Sequence, residues 1–167
     1  MSKTKIIALT ALIIFAFSMT AIGNVLAAEK VKCRNIWYLT KWHQVEVGDE
    51  EGHVVAVLEK KSVQTNLEGK AFGDGWPIHQ AGFVDMNLKT GVGVCHGYNL
   101  WTDKDGDKVY ERWEGSNDGK GWKGTLILLK GSGKYEGIKG KATWVCYDVA
   151  PFQMYCDWEG EVELPGR

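Results

Sequence analysis

From Ala81 onward the chain runs in short stretches of alternating apolar and polar positions broken by glycine-rich turns, the period of two that marks half-buried β-strands. The last stretch is the clearest. Phe152, Met154, Cys156, Trp158, Val162 and Leu164 fall on one face, while Gln153, Asp157, Glu159, Glu161 and Glu163 fall on the other, with Tyr155 the one exception. An inward apolar row backed by an outward acidic row is what a barrel wall needs. Ala81 to Leu88 alternates in the same way, with Val84, Met86 and Leu88 on one side. After Thr90-Gly91 comes Val92 to Thr102, whose Gly93 and Gly97 leave room for a neighbour's aromatic rings or for curvature.

The dipeptide Asp105-Gly106 predicts a hairpin between that strand and Lys108–Glu114, through a type I′ turn in which both central residues take positive φ. Trp122 to Lys130 follows, and its unbroken Leu126-Ile127-Leu128-Leu129 predicts a strand covered on both faces. Gly131 to Gly140 is a glycine-spaced connector with one helical turn expected at Lys134–Gly137. Lys141–Asp148 and Phe152–Leu164 make the final hairpin.

The first half of the chain is less regular. Cys33 to Val47 reads as a strand, rich in aromatic and β-branched residues, although neither face is cleanly apolar. Gly48 to Gly52 is a polar turn, and His53 to Lys60 a second strand. Between Ser62 and Gln80 no period is sustained, so a short strand near Val63–Leu67 is expected there, followed by a loop carrying Trp76-Pro77. The sum is an all-β chain: a single antiparallel barrel of about eight strands in meander order, closed so that no sheet edge is left exposed. A two-sheet sandwich has nearly the same pattern and is the competing architecture.

The first segment stands apart from this domain. Lys3 and Lys5 precede an apolar run from Ile6 to about Ile22, and Val25-Leu26-Ala27 then supplies the small-residue pattern of a cleavage site. Residues 1–27 therefore read as a secretory signal peptide and residues 28–167 as the barrel domain, which leaves no stable membrane anchor after cleavage. An uncleaved anchor is the alternative, although the run falls short of a full span. The expected location is periplasmic or secreted.

The 167 residues allow one domain with one core, and 21 Gly, 8 Trp and 6 Tyr against 3 Pro suit short twisted strands with tight turns. There are 20 basic and 21 acidic side chains; with Lys3 and Lys5 gone, the mature chain is near −3. Such a chain has no electrostatic footprint for nucleic acid or anionic membrane. Oligomeric state is not encoded legibly.

All four cysteines, Cys33, Cys95, Cys146 and Cys156, lie in the exported part, where oxidation is permitted. Cys146 and Cys156 stand symmetrically about Pro151, so a hairpin turning there sets them opposite one another as a disulfide, leaving Cys33 and Cys95 to pair or remain thiols. No C-x-x-C spacing points to metal. Asp103, Asp105 and Asp107 resemble a Ca²⁺ loop, but the further ligands such a loop requires are missing and a hairpin turn is the simpler reading. The histidines His43, His53, His79 and His96 show no ligand spacing, and neither a nucleophile elbow nor a nucleotide fingerprint occurs. No cofactor and no metal are expected.

The motifs Gly93-Val94-Cys95, Asp103-Lys104-Asp105-Gly106-Asp107 and Gly133-Lys134-Tyr135-Glu136-Gly137-Ile138-Lys139-Gly140 carry a resemblance to small exported bacterial proteins with an allene oxide cyclase-like barrel, a calycin-type architecture. The resemblance implies the barrel. In the plant cyclases that fold holds a fatty-acid epoxide, but no catalytic set of those enzymes maps onto residues of this chain.

The aromatics are the better lead to function. Trp side chains line apolar pockets while offering one N–H donor each. The expectation is an exported barrel that binds a small apolar or amphipathic molecule without catalysis, with Trp76, His96, Tyr98, Trp144, Met154 and Trp158 as the ligand-binding candidates. Trp76, beside Pro77 and His79, is expected as a lid over the barrel mouth. An isomerase or cyclase would use the same cavity with an ionisable group inside it, His96 or Tyr98 being the candidates. An interaction module would instead have a filled barrel and an outward binding face on the acidic row.

Overall fold

The computed structural model describes residues 28–164; the signal peptide expected over residues 1–27 lies outside them. Eight strands follow one another: β1 (Glu29–Glu46), β2 (His53–Glu68), β3 (Pro77–Asn87), β4 (Val92–Thr102), β5 (Lys108–Asp118), β6 (Trp122–Gly131), β7 (Lys139–Ala150) and β8 (Gln153–Glu163). Each pairs antiparallel with the next, and β8 closes onto β1 from Glu29↔Val162 to Tyr38↔Gln153. Closure decides for the barrel over the sandwich. A single 3-10 turn, Gly133–Tyr135, interrupts the connector before β7, where one helical turn was expected.

Departures from simple alternation explain the irregular first half. A bulge between Leu39 and Lys41 in β1 shifts the inward parity, so Trp37 and Leu39 face in before it and Trp42 after it. Neither face of that strand can read as cleanly apolar across such a shift. In β2 the strand is continuous to Glu68 rather than broken near Ser62. Its inward positions turn polar at Lys60, Ser62 and Gln64 while Val57, Val63 and Leu67 point outward, so the pattern inverts instead of fading. The irregular segment shrinks to residues 69–76, and His79 belongs to β3.

Two other expectations are corrected. In β6, Leu126 and Leu128 are buried but Ile127 and Leu129 are 44% and 46% exposed, so this is an ordinary wall strand with one solvent face. The β4–β5 reversal is a three-residue loop between Asp103 and Asp107, closed by the Gly106 N–H bond to the Asp103 carbonyl at 3.1 Å. Gly106 takes φ +87° but Asp105 does not turn positive, so the loop is not type I′. Asp103 accepts from the Asp105 and Asp107 amides, which engages the carboxylate in the turn.

The outward acidic row of β8 lies beside a basic row of β1, with Lys30, Lys32 and Arg34 opposite Glu161, Glu159 and Asp157. Arg34 grips Asp157 with two bonds of 2.6 and 2.7 Å.

The two ends of the barrel differ. One carries the longer connections, residues 69–76, 103–107 and 132–138, and is plugged by aromatic rings. Phe72 sits at its centre, with ring centroids 5.6 Å from Trp76, 5.1 Å from Trp101 and 5.7 Å from Trp158. Tyr135 stacks edge-on behind Trp76. The other end carries the reversals at 47–52, 88–91, 119–121 and 151–152 and stays open.

Candidate functional site

A cavity of about 240 Å³ runs from the open end to mid-barrel. Six of the eight tryptophans line it: Trp37, Trp42, Trp113, Trp122, Trp144 and Trp158. Its openness has a local cause. Trp113 lies across the register row Gly82↔Gly97↔Trp113, and a Cβ at Gly82 or Gly97 would come within 2.5 or 2.6 Å of its ring. Trp144 lies in the same way across Gly115↔Gly124. Each indole is therefore laid flat against two bare backbones on neighbouring strands, lining the lumen rather than filling it. Their rings meet edge to face, centroids 6.4 Å apart.

At the rim stand Met86, Trp122, Phe152 and Met154. Phe152 is exposed and adopts φ +64°, the left-handed conformation a non-glycine residue rarely takes. The disulfide Cys146–Cys156, as expected, joins β7 and β8 in direct register and forms part of the wall.

The cavity is not purely apolar. Adjacent strands bring Lys60, Gln80, Asn99 and Glu111 into one inward row, in the pairs Lys60↔Gln80, Gln80↔Asn99 and Asn99↔Glu111. Glu111 is 1% exposed and accepts a 2.6 Å bond from Asn99 Nδ2 on Oε1. Burial pushes its carboxyl up to about 8, against a weaker downward pull from Asn99 and the Trp101 indole. At neutral pH it is mostly a carboxylic acid, hence a hydrogen-bond donor in an apolar chamber.

Lys60 is the amine of the row. Its Nζ rests 3.4 Å from Met154 Sδ, and burial lowers its pKa to about 8, with Cys95 and Asp148 acting in the opposite sense.

Among the described residues, several polar atoms on the cavity wall make no hydrogen bond of good geometry: Asn35 Oδ1, Asn99 Oδ1, Glu111 Oε2, Trp113 Nε1 and Trp158 Nε1. Buried polar atoms are seldom left so, and five of the seven found among the described residues lie on this one wall. Trp144 Nε1, by contrast, is satisfied by the Thr125 carbonyl at 3.1 Å.

Of the residues expected from the sequence, Trp144, Met154 and Trp158 line the cavity. Trp76 is no lid. It is 8% exposed and belongs to the plug at the closed end. His96 and Tyr98 are on the outer face, because the inward parity of β4 is that of Cys95, Gly97 and Asn99. His96 tilts against Phe83 there, and Tyr98 is 59% exposed. None of the four histidines lines the cavity; His53 is held between Asp49 and Asp85 at 2.6 and 2.7 Å, which raises its pKa. Cys33 and Cys95 are separate buried thiols, each pushed up to about 12 by burial.

Lys60, Gln80, Asn99 and Glu111 were not singled out from the sequence. The available signal was parity: each is a polar residue at an inward position of an otherwise apolar row.

No family model matches the chain, and no curated protein matches it either. Among solved structures it is similar to a pterocarpan synthase dirigent protein, with 9% identity over 80% of this chain and 87% of that one and a TM-score of 0.50. It is also similar to a pyocyanin demethylase, with 14% identity over 80% of this chain and 99% of that one and a TM-score of 0.42. At such identity the dirigent-protein likeness identifies an eight-stranded antiparallel barrel fold, and the chemistry of this chain rests on the residues of its own cavity.

Proposed function

We propose that this protein is an exported barrel that binds one small, largely apolar molecule, held between tryptophan faces and oriented by the Asn99–Glu111 pair. The observation that carries the reading is the set of polar atoms without a hydrogen bond of good geometry, Glu111 Oε2 and Asn99 Oδ1 foremost, inside an open indole-lined chamber. A cavity of roughly 150 Å³ can hold benzene. The volume here therefore suits a bicyclic or comparably sized ligand with one polar end. At roughly 25 cal/mol per Å², hiding on the order of 200 Å² of apolar ligand surface contributes about 5 kcal/mol before the costs of association. Export is supported by the leader pattern and by a disulfide that suits an oxidising compartment.

A second reading, an isomerase or cyclase working on a lipid-like substrate in the same chamber, is favoured by one feature. Glu111 is an ionisable group inside the barrel that stays protonated at neutral pH and can deliver a proton. A barrel filled by its own side chains, the premise of an interaction module, is not compatible with the open chamber.

The deciding experiment is native mass spectrometry of the mature protein from its export compartment, with a parallel titration by the neutral fluorophore N-phenyl-1-naphthylamine. A retained small molecule, or quenching of the six cavity tryptophans at one-to-one stoichiometry, is the expected result. An empty protein whose tryptophan emission the probe does not change overturns it. Turnover of a bound lipid epoxide, lost in Glu111→Gln, would decide for the enzyme.

A further inference from the structure

We propose that Lys60 is a carbonyl-capture site, whose amine forms a reversible imine with an apolar aldehyde or ketone lying between the cavity tryptophans. The proposal rests on the cavity reading above and names the ligand class that the chamber selects.

Four observations place the amine for this role. Lys60 occupies an inward position of β2, next in the inward row to Leu58, and is part of the cavity wall. Among the described residues its Nζ finds one hydrogen-bond partner, the Met154 thioether, a weak acceptor that leaves the nitrogen open to attack a ligand. Among the described residues it makes no ion pair, whereas Lys41, Lys89, Lys123 and Lys134 are each tied to a carboxylate. The walls around it are aromatic, so an apolar carbonyl compound is held where a hydrated one is not.

The surrounding charges fit the chemistry. Facing Lys60 are Cys95 from β4 and Asp148 from β7, with Glu111 from β5 deeper in the chamber. Burial outweighs the first two and brings the ammonium down to about 8, so a usable fraction is neutral amine at mildly alkaline pH.

The step balances without a redox partner. The nitrogen lone pair attacks the carbonyl carbon, a C–N bond forms, and the carbonyl π pair moves to oxygen. The nitrogen gives up a proton and the oxygen gains one, through Asp148 or solvent, giving a carbinolamine. Loss of water as the remaining nitrogen lone pair moves in leaves the C=N bond, and water reverses the sequence.

The test is reductive trapping on the full mature protein. It is incubated with 2-naphthaldehyde at limiting concentration and sodium cyanoborohydride, across pH 6 to 9, and the adducts are mapped by peptide mass spectrometry. Lys60 is expected to be labelled about tenfold or more faster than any surface lysine, because among the described residues it alone pairs a buried amine with an apolar chamber that concentrates the aldehyde beside it. Its rate is expected to climb as pH rises to about 8, where burial has brought the ammonium, and then to level off. Lys60→Met, which keeps an apolar chain beside Met154, should lose the adduct and leave only the slow labelling of the surface lysines. Labelling spread evenly over the lysines, or an unlabelled Lys60 in a protein that still takes up the neutral probe, overturns the imine while leaving the cavity reading intact. Failure of the neutral probe to bind the native protein overturns both.

Discussion

The Trp144 ring lies against Gly124 so closely that a methyl group at position 124 would fall 2.5 Å from it. Gly115, the register neighbour of Gly124, is covered by the same ring. These two glycines are where the indole's flat seat is encoded, and that seat keeps the chamber open.

Gly124→Ala should therefore push Trp144 toward the lumen and also press on the Glu114 carbonyl of β5, the nearest atom the new Cβ would meet. Overpacking of this kind costs about 1–3 kcal/mol, and the displaced ring would occupy space that the ligand needs. The expected outcome in a urea melt with parallel probe titration is a lower midpoint together with weakened binding of N-phenyl-1-naphthylamine. Gly106→Ala is a useful control, since its Cβ would meet no neighbour and any cost there comes from φ +87° alone; it should leave probe binding unchanged.

Glu111 makes a prediction whose sign follows from its raised pKa. Folded, the carboxyl holds its proton up to about 8; unfolded, it releases it near the ordinary value of 4.5. Between those values the native state binds more protons than the unfolded state, so this group's contribution falls as pH rises, by up to about 1.4 kcal/mol per pH unit. Glu111→Gln removes that slope while keeping an amide in the site. Subtracting its pH–stability curve from that of the native protein should leave a decline from pH 5 to 8. A flat difference would mean that Glu111 is not buried as a neutral acid.

What could be read from the sequence followed the strength of local signals. The strands from β3 to β8 and the pairing of Cys146 with Cys156 were legible because turn residues and period-two alternation coincide there. The β1–β2 pair was harder, since the bulge at Leu39/Lys41 reverses parity in mid-strand and Lys60, Ser62 and Gln64 put polar groups where an apolar row is sought. The same inversion hid the site. A polar residue pointing into a barrel looks, in sequence, like the end of a strand, so Trp76 drew attention for its irregular setting while Lys60, at the expected strand end, and Glu111 were not singled out. His96 and Tyr98 were misplaced because Gly93 and Gly97 remove the apolar markers that fix which side of β4 faces inward.

Thiol chemistry should separate the four cysteines cleanly. Burial drives Cys33 and Cys95 up to about 12, leaving almost no thiolate at neutral pH, so neither should react quickly with a thiol-specific disulfide reagent in the native state. After denaturation two thiols should titrate, and the intact mass should be two protons below that of the fully reduced chain. Replacing both Cys146 and Cys156 by Ser should cost about 2–3 kcal/mol, as expected for a cross-link closing a loop of this length. Rapid native reaction at Cys95, which is on the cavity wall, would show that the chamber admits polar reagents.

At the closed end Asp103 offers a test of stability that should leave binding alone. Its side chain is 1% exposed, yet it satisfies the Asp105 and Asp107 amides at 2.8 and 2.9 Å, contacts Lys134, and accepts from the Tyr135 hydroxyl at 3.4 Å. Burial alone would raise its pKa, but Lys134 and the two amides outweigh it and hold the carboxyl below its ordinary value. A depressed carboxylate contributes stability that is present above the unfolded value of 3.8 and is lost as pH falls through the lower folded one. Asp103→Ala strands two amides, while Lys134 keeps Asp105 as a partner at 2.9 Å, and should cost about 1–3 kcal/mol near neutrality. Asp103→Asn retains an acceptor for the amides and should cost less, and its melting temperature should fall less steeply below pH 4 than that of the native protein. Because Asp103 lies beyond the Phe72–Trp101 plug, both variants should bind N-phenyl-1-naphthylamine as the native protein does whenever they are folded. Loss of binding in folded Asp103→Asn would mean that the two ends of the barrel are coupled through the ring cluster rather than insulated by it.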